Sequence, residues 1–504
     1  MNSIKYGTIS TGSKEATLTA EKILKDGGNA FDAAVGAVFV SMTSEFALTG
    51  PFGGGTCVGI KKDTKPFVYD FFVDCPQYSN EKKEFKEVSV NFGNTVQKFH
   101  VGKGSIASPG NISGLLKIHQ DHGELPLKKV LSHSISYARN GVKINPYQSY
   151  ILKLIKPILT FSKNDIFIKN NSFINKGDTF ANPSFADFLN ILLEKGSTYF
   201  YKGEGLQHIL EYLGNESCLT KSDFINYKVY KREPIEIDFQ GHTIYTNPAP
   251  SYGGTLIIFL LELLKNSNQD INISSLIKGM NLASRVREEI CINPDDENEI
   301  SKVLSKNIIK KYTKLFSTNK MNLASDTDGY GSTTHVSIMD TKGNAASITT
   351  TNGEGCGSIM PKYGIMMNNM MGEVDLNPFG FHNWNNRRRL PTMISPIIIT
   401  RNSKPKFILG SGGSNRIRSA NIQVILNLLI KKMSLNKAID APRLHLEGNT
   451  LFHEPGIVFP KNFTPKNISL NGFDKKNLFF GGVNAVSSTE AIGDKRRGGV
   501  GIVT

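Results

Sequence analysis

The sequence predicts an α+β fold, because helical and strand-like patterns are interspersed along its 504 residues. Residues 31–42 are apolar almost all round, which is typical of a buried helix too short to span a membrane. Residues 332–340 alternate apolar and polar side chains, and residues 345–351 form a second strand-like run rich in threonine. These segments predict helices and an antiparallel hairpin in one chain.

The first elements are predicted from their apolar faces and caps. Residues 14–26 have small and branched apolar side chains on one side, as in an amphipathic helix, and Gly27 is a suitable C-cap. Asn29 then predicts the N-cap of the helix over 31–42, with Asp32 near its positive end.

Three consecutive glycines, residues 53–55, follow that helix. They permit positive φ and close backbone approach, but the Gly-Lys-Ser/Thr ending of a phosphate loop is missing. A structural turn and a ligand-facing loop both fit this run.

The remaining elements are predicted from periodicity and turn residues. Strands are expected at residues 57–60, 67–71, 239–245, 364–369, 396–400 and 407–409, and helices at 112–120, 127–140, 255–264 and about 417–432. Residues 325–331 are small and polar, which predicts a mobile segment just ahead of the threonine-rich hairpin.

The hairpin itself suggests chemistry. A turn centred on Lys342 pairs Asp340 with Asn344, and the same register places Thr333 opposite Thr351. A threonine at the head of a strand, with a second hydroxyl across from it, suits a residue whose Oγ cuts its own preceding peptide bond. The cut leaves a new α-amine as catalytic base. The alternative is an ordinary threonine-rich hairpin, since threonine favours strands without any catalytic role.

Gly412 and Gly413 lie between a predicted strand and a predicted helix. Backbone N–H groups at such a junction converge on one point and favour negative charge, so the pair can form an oxyanion hole. A tight turn without catalytic function explains the same two glycines equally well.

Composition excludes several other classes. The net charge is +15, but the basic residues are spread along the chain without a nucleic-acid motif. The five cysteines, Cys57, Cys75, Cys218, Cys291 and Cys356, are scattered, so neither disulfides nor a cysteine-rich zinc site is expected. No metal-ligand cluster calls for a cofactor. The absence of a signal-peptide pattern or membrane span favours a cytoplasmic protein, or a periplasmic one if a leader has been removed.

In combination and order, these segments resemble the γ-glutamyltranspeptidase family of N-terminal-nucleophile hydrolases. The resemblance covers nearly the whole chain. It rests on the opening helix pair, the glycine loop, two Pro- and Gly-containing turns, the processing site and the closing strands, which are residues 20–34, 53–55, 108–115, 250–254, 333–344, 481–488 and 494–499. The segment at Thr333 is the most specific of them.

The resemblance implies a four-layer αββα sandwich and self-cleavage between Ser332 and Thr333. The products are a large subunit (1–332) and a small subunit (333–504) that stay associated. Thr333 is then both the processing and the catalytic nucleophile, its α-amine is the base, Thr351 holds its hydroxyl, and Gly412 and Gly413 stabilise the oxyanion. The implied substrate is a γ-glutamyl amide such as glutathione. A homo-oligomer is possible, and neither nucleic acid nor membrane is an expected partner.

The substrate-binding residues that the resemblance implies are Glu373, Thr392, Asn369 and Glu354, with Glu373 on the substrate α-ammonium group. Several positions depart from the family pattern. Residues 70–76 contain Asp74 but no arginine for the substrate carboxylate, and Met370 stands where a polar residue is expected. An arginine–carboxylate contact is hard to replace.

Three functions therefore remain. The first is a self-processed γ-glutamyl hydrolase or transferase. The second is an amide hydrolase, or acylase, of the same fold with a different acyl group. The third is a binding protein that never matures, against which the intact Thr333, Thr351 and glycine pair argue.

Overall fold

A computed structural model describes residues 4–91, 96–162, 165–267, 269–290, 297–318, 323–324, 332–377, 380–384, 386, 388–460 and 467–504. Within these residues, thirteen strands build two central sheets. In chain order they are β1 (Gly7–Thr11), β2 (Gly54–Ile60), β3 (Phe67–Phe71), β4 (Tyr230–Arg232), β5 (Ile235–Phe239), β6 (His242–Thr246), β7 (Thr334–Asp340), β8 (Ala345–Thr351), β9 (Ile397–Arg401), β10 (Lys404–Gly412), β11 (Gly482–Ser487), β12 (Ala491–Ile492) and β13 (Val500–Val503).

Both central sheets are antiparallel and they pack face to face. The first has the strand order β4-β3-β2-β8-β7-β1-β13, and the second has the order β5-β6-β9-β10-β11-β12. Apolar side chains from both sheets, among them Val58, Met339, Ile398, Ile408 and Val486, form a buried core between them. Strand β7 is consequently buried on both faces.

Helices cover the outer face of each sheet. They are α1 (Lys14–Lys25), α2 (Ala30–Ser44), α3 (Asn111–His122), α4 (Leu127–Asn140), α5 (Pro146–Leu154), α6 (Lys156–Leu159), α7 (Pro183–Lys195), α8 (Thr198–Tyr201), α9 (Glu204–Leu213), α10 (Lys221–Ile225), α11 (Tyr252–Asn266), α12 (Ile273–Ile290), α13 (Glu297–Lys302), α14 (Lys306–Ser317), α15 (Arg416–Leu429) and α16 (Leu435–Asp440). Helix α2 packs on β7 and β8, whereas α11 and α15 pack on the second sheet. These are the four αββα layers that the resemblance implied.

Short strand pairs lie outside the sandwich. They are Lys86–Asn91 with Val96–Val101, Val142–Lys143 with Thr179–Phe180, Ile168–Lys169 with Ser172–Phe173, Ile359–Met360 with Ile365–Met366, and Leu444–Glu447 with Thr450–His453 and Ser469–Gly472. No helix among the described residues combines the length and apolar character needed to cross a bilayer.

The predicted N-cap of α2 at Asn29 is confirmed. Asn29 accepts hydrogen bonds from the backbone N–H groups of Phe31 and Asp32, while the Asp32 carboxylate accepts from the Asn29 N–H at 3.0 Å. This reciprocal capping box fixes the start of α2. The helix continues to Ser44, two residues past the predicted end, because it stays buried throughout.

The prediction of one strand over residues 239–245 is wrong. The chain makes a tight turn at Gln240 and Gly241, whose φ angles are 53° and 71°, and this turn joins β5 to β6. Two consecutive residues with positive φ produce the turn that a two-residue hairpin requires. Gly241 was the residue in the sequence that could have indicated this turn.

The glycine run at residues 53–55 was interpreted as a structural turn or a ligand-facing loop, but most of it lies in a strand. Gly54 and Gly55 belong to β2 and pair with Thr351 and Thr350. A Cβ on Gly53 would lie 2.1 Å from the Thr351 carbonyl oxygen, and a Cβ on Gly55 would lie 2.6 Å from the Thr349 carbonyl oxygen. The glycines therefore let one strand approach the end of β8 closely.

Two further strand predictions need correction. Over 364–369 only Ile365–Met366 is a strand, because the following asparagines turn their side chains to backbone groups of other segments. In 494–499, Asp494 caps a 3₁₀ turn over Lys495–Arg497 instead of continuing a strand. The expected mobile segment 325–331 lies outside the described residues.

Candidate active site

The Ser332–Thr333 peptide lies at the head of β7, where the predicted register is confirmed. Thr334 pairs with Thr350, so Thr333 is directly opposite Thr351, and Asp340 donates its backbone N–H to Asn344 at 3.1 Å. Thr333 is only 5% exposed. The hairpin thus brings a buried threonine and a second hydroxyl to one point.

The Thr351 hydroxyl contacts Ser332 and not Thr333 in this uncut chain. It donates to the Ser332 carbonyl oxygen and accepts the Gly353 N–H at 2.9 Å. A hydroxyl has one hydrogen, so the bond from Gly353 leaves that hydrogen for the Ser332 carbonyl. The implied contact between the Thr351 and Thr333 hydroxyls remains a prediction for the cut enzyme.

Gly412 ends β10 directly against Thr333. A Cβ on Gly412 would lie 2.2 Å from the Thr333 carbonyl oxygen, a distance that no side chain tolerates. Gly413 has a φ of +126°, which favours glycine strongly. The strand and helix around the pair were predicted, although β10 reaches Gly412 itself and α15 begins at Arg416.

A buried carboxylate holds the loop that follows these glycines. Asp375 accepts hydrogen bonds from the Ser414 hydroxyl and from Asn415 Nδ2, the latter at 2.8 Å. Burial raises the pKa of Asp375. This contact ties the loop at 414–415 to the segment that carries Glu373, and nothing in the sequence pattern had singled out Asp375.

Glu354 lies on the other side of the Ser332–Thr333 peptide. Its Oε1 accepts the Ser332 N–H at 2.9 Å. The side chain is buried, and burial raises its pKa to about 8, although hydrogen bonds from Ser332 oppose that shift. Ser332 is therefore held at its N–H by Glu354 and at its carbonyl by Thr351.

Glu373 and Asn369 lie next to Glu354, and their substrate roles remain predictions. Asn369 Oδ1 accepts the Glu354 N–H at 2.9 Å. A Cβ on Gly353 would lie 2.1 Å from Asn369 Oδ1 and 2.3 Å from Glu373 Oε1, so these groups surround Gly353. Burial, followed by the neighbouring Glu354 and Asp375 carboxyls, raises the pKa of Glu373.

The observed hydrogen bonds of Thr392 are made with residues other than Glu354, Glu373 and Asn369. Its Oγ1 accepts the Ile394 N–H at 3.1 Å, and its carbonyl accepts the Ser251 hydroxyl at 3.0 Å. It lines a small cavity together with Asp70 and Arg389. A substrate role for Thr392 remains a prediction.

The stretch expected to provide a carboxylate-binding arginine contains an ion pair. Arg389 Nε lies 3.2 Å from Asp74 Oδ1, and the Arg389 side chain is 1% exposed. Its Nη atoms donate to backbone carbonyls, including that of Lys228 at 2.6 Å, and to the Tyr227 hydroxyl at 2.9 Å. This guanidinium is therefore buried, paired with Asp74 and bound to main-chain groups inside the protein.

Arg497 lies beside the glycine pair, and the sequence analysis did not single it out. A Cβ on Gly412 would lie 3.2 Å from Arg497 Nη1, and a Cβ on Gly413 would lie 3.1 Å from Nη2. Burial lowers the pKa of Arg497, with Tyr147 and then Asp494 opposing that effect. Its position in the 494–499 motif was the available signal, but that motif was interpreted as a strand.

Both ring nitrogens of His335, two residues after Thr333, lie within hydrogen-bonding distance of hydroxyl groups. Its Nδ1 is 2.7 Å from Thr349 Oγ1 and its Nε2 is 2.8 Å from Ser337 Oγ, so both ring nitrogens are engaged. Burial lowers its pKa to about 3, which keeps the ring neutral. No group of three or more histidine, cysteine or acidic side chains that could hold a metal occurs in the part of the chain described.

Comparison with known proteins agrees with this geometry. The glutathione hydrolase proenzyme of Pseudomonas aeruginosa is 27% identical over 481 residues, covering 89% of this chain and 85% of that protein. The capsule biosynthesis protein CapD proenzyme of Bacillus anthracis is 28% identical over 508 residues, covering 98% and 90%. A solved cephalosporin acylase from Bacillus halodurans shares the fold, with a TM-score of 0.82 at 21% identity over 100% of this chain and 97% of that one.

A family model described as Gamma-glutamyltranspeptidase matches residues 16–503, which is nearly the whole chain. The match spans the Thr333 hairpin, the glycine pair and the carboxylates around Gly353. The chain therefore belongs to the γ-glutamyltranspeptidase family of N-terminal-nucleophile hydrolases and transferases.

Proposed function

We propose that this chain is a precursor that cuts its own Ser332–Thr333 peptide bond and then transfers or hydrolyses γ-glutamyl groups through Thr333. The observation that carries the proposal is the hydrogen bond from the Thr351 hydroxyl to the Ser332 carbonyl, directly beside Thr333. That bond polarises the carbonyl whose carbon Thr333 Oγ must attack. The relatives named proenzymes support a precursor of this kind.

The cut is an acyl shift followed by hydrolysis. Thr333 Oγ adds to the Ser332 carbonyl carbon, and the Thr351 hydroxyl stabilises the negative charge on its oxygen. The C–N bond breaks, the nitrogen takes the proton lost by Oγ, and an ester links Ser332 to Thr333. Water then cleaves the ester, releasing a Ser332 carboxylate and restoring the Thr333 hydroxyl beside the amine that the shift has freed.

The freed amine makes turnover possible. An α-amine has a pKa of about 8, far below that of lysine, so a useful fraction is unprotonated near neutral pH. It accepts the Thr333 hydroxyl proton as Oγ attacks the substrate amide, and it returns that proton to the leaving amine. The backbone around Gly412 and Gly413 stabilises the oxyanion, and water or another amine releases the acyl group.

A γ-glutamyl donor fits the charges around Thr333. Its α-ammonium group finds the carboxyls of Glu354 and Glu373, while Arg497 beside Gly412 offers a guanidinium to its α-carboxylate. Arg497 thereby takes the role of the arginine missing from residues 70–76. The name glutathione hydrolase, carried by relatives of this chain, supports the same donor class.

An acylase acting on a non-glutamyl amide is the second candidate. The Asp74–Arg389 ion pair favours this candidate. Asp74 lies in residues 70–76, where the family places an arginine for the glutamyl carboxylate, and here the stretch instead supplies a carboxylate that pairs with Arg389. Assaying glutathione beside simple acyl amides of similar length separates the two, since the first candidate predicts a marked preference for glutathione.

The test of processing is mass spectrometry of the purified chain. Wild type should give two fragments, the smaller beginning at Thr333, and the Thr333→Ala variant should stay whole. A wild-type chain that remains uncut and inactive would falsify the proposed function and would favour a binding protein instead.

A further inference from the structure

Ser332 is held at both of its peptide groups by a single short segment. The Thr351 hydroxyl donates to its carbonyl, and Glu354 Oε1 accepts its N–H at 2.9 Å. Both contacts are buried, since Ser332 is 9% exposed and Glu354 is 3% exposed. One fixed point on each of the two peptide groups of Ser332 determines how its carbonyl carbon faces Thr333.

The backbone holds Glu354 and Thr351 in a fixed relation. The Gly353 N–H donates to Thr351 Oγ1 at 2.9 Å, and the Glu354 N–H donates to Asn369 Oδ1 at 2.9 Å. Gly353 has a φ of 61° and no space for a Cβ. These contacts position the Glu354 side chain independently of its hydrogen bond to Ser332.

Cleavage changes the charge at this point. The Ser332 carbonyl, neutral in the uncut chain, becomes a carboxylate beside the buried side chains of Glu354 and Glu373, and burying a new charge costs free energy. The end of the large fragment is expected to leave. Glu354 Oε1 then loses its donor, and Glu354 Oε2 is already buried without a hydrogen-bond partner among the described residues.

We propose that Glu354 acts twice: it positions the scissile peptide for the cut, and the oxygen that Ser332 vacates then binds the donor's ammonium group together with Glu373. The second role rests on the proposed function, whereas the first requires only that the chain cuts itself. In this scheme the Ser332 N–H occupies the ammonium position of the uncut chain, so the precursor blocks its own donor site.

The first role is tested by the rate of cutting in three variants. Glu354→Gln retains an acceptor oxygen for Ser332 and should cut within about 3-fold of wild type. Glu354→Leu has no acceptor, and its rate should fall at least about 10-fold, as expected when the buried Ser332 N–H is left without a hydrogen-bond partner. Glu354→Asp withdraws the acceptor by one methylene and should also be slow.

As a control for folding, the thermal midpoint of unfolding is measured for each variant in the uncut Thr333→Ala chain. Should Glu354→Leu fail to fold, Glu354→Asp carries the same expectation. If a folded Glu354→Leu or Glu354→Asp variant cuts at the wild-type rate, the positioning role is refuted. If Glu354→Gln cuts as slowly as Glu354→Leu, retaining an acceptor does not explain the effect and the role is likewise refuted.

The second role is tested on cut enzyme with L-glutamate and glutarate, which differ only in the amine. As competitive inhibitors of the cut Glu354→Gln enzyme, glutamate should bind about 10-fold more weakly than to wild type, and glutarate within about 2-fold of wild type. Equal effects on both inhibitors overturn the ammonium role. Wild-type enzyme that binds neither compound overturns that role together with the glutamyl assignment, and the cutting rates still decide the positioning role.

Discussion

At the residue scale, the Thr351 hydroxyl is the group on which the proposed self-cleavage depends most directly. Thr351→Val keeps the shape of the side chain and removes its donor to the Ser332 carbonyl. We expect the rate of cutting to fall by about 10²-fold, as for the loss of one oxyanion donor. The rate is measured by gel densitometry after synthesis, with Thr351→Ser as the control that keeps the hydroxyl. Wild-type processing in Thr351→Val would show that another group stabilises the oxyanion.

The buried carboxyl of Glu354 also gives a pH dependence to stability. Its pKa is about 8 in the folded chain and near 4.5 when unfolded. Between these values the folded state holds a proton that the unfolded state has lost, so the free energy of unfolding falls as the pH rises. Urea denaturation of Thr333→Ala between about pH 5 and about pH 8 should show this decline. The double variant with Glu354→Gln should show a smaller decline, and an equal one would contradict the assignment.

At the element scale, the close approach of β10 to the head of β7 depends on Gly412. Gly412→Ala places a methyl group 2.2 Å from the Thr333 carbonyl oxygen, so one strand must move. We expect a loss of about 1–3 kcal/mol in the free energy of unfolding and a much larger loss of cutting.

Gly241→Ala is the matched control for that variant. Gly241 has a φ of +71° and nothing within 4 Å of an added Cβ, and it lies in the β5–β6 turn. This change should cost about 1 kcal/mol of stability through backbone strain and leave cutting unchanged. If the two variants lose cutting in proportion to stability, Gly412 has no special role at the site.

At the scale of the whole molecule, both central sheets combine strands from either side of residue 333. In the first sheet β2 lies between β3 and β8, and in the second β6 lies beside β9. Separating the two fragments would therefore break backbone ladders and the hydrophobic clusters that both fragments build. We expect the cut fragments to elute together in size-exclusion chromatography and to part only in denaturant. Fragments that separate in native buffer would contradict the predicted association.

The sequence alone was sufficient for features that depend on neighbouring residues. The capping box at Asn29 and the register of the Thr333–Thr351 pair follow from short spacings, and the structure agrees with both. Prediction was wrong where a local pattern had two outcomes, as in the 239–245 hairpin. Alternation in β7 predicted a strand but not its surroundings: Ser337 is buried and donates to the Asn484 carbonyl of the second sheet at 3.1 Å.

The amino-acid order determined which residues could react: a threonine opposite a hydroxyl, a glycine pair and two nearby carboxyls. Only the tertiary structure decided which partner each one has. Arg497 with Gly412 and Asp74 with Arg389 are contacts between segments far apart in the chain. The contact of Thr351 with Ser332 depends on the direction of the Thr351 side chain. Periodicity specifies the face of an element, whereas the packing of two sheets specifies what that face meets.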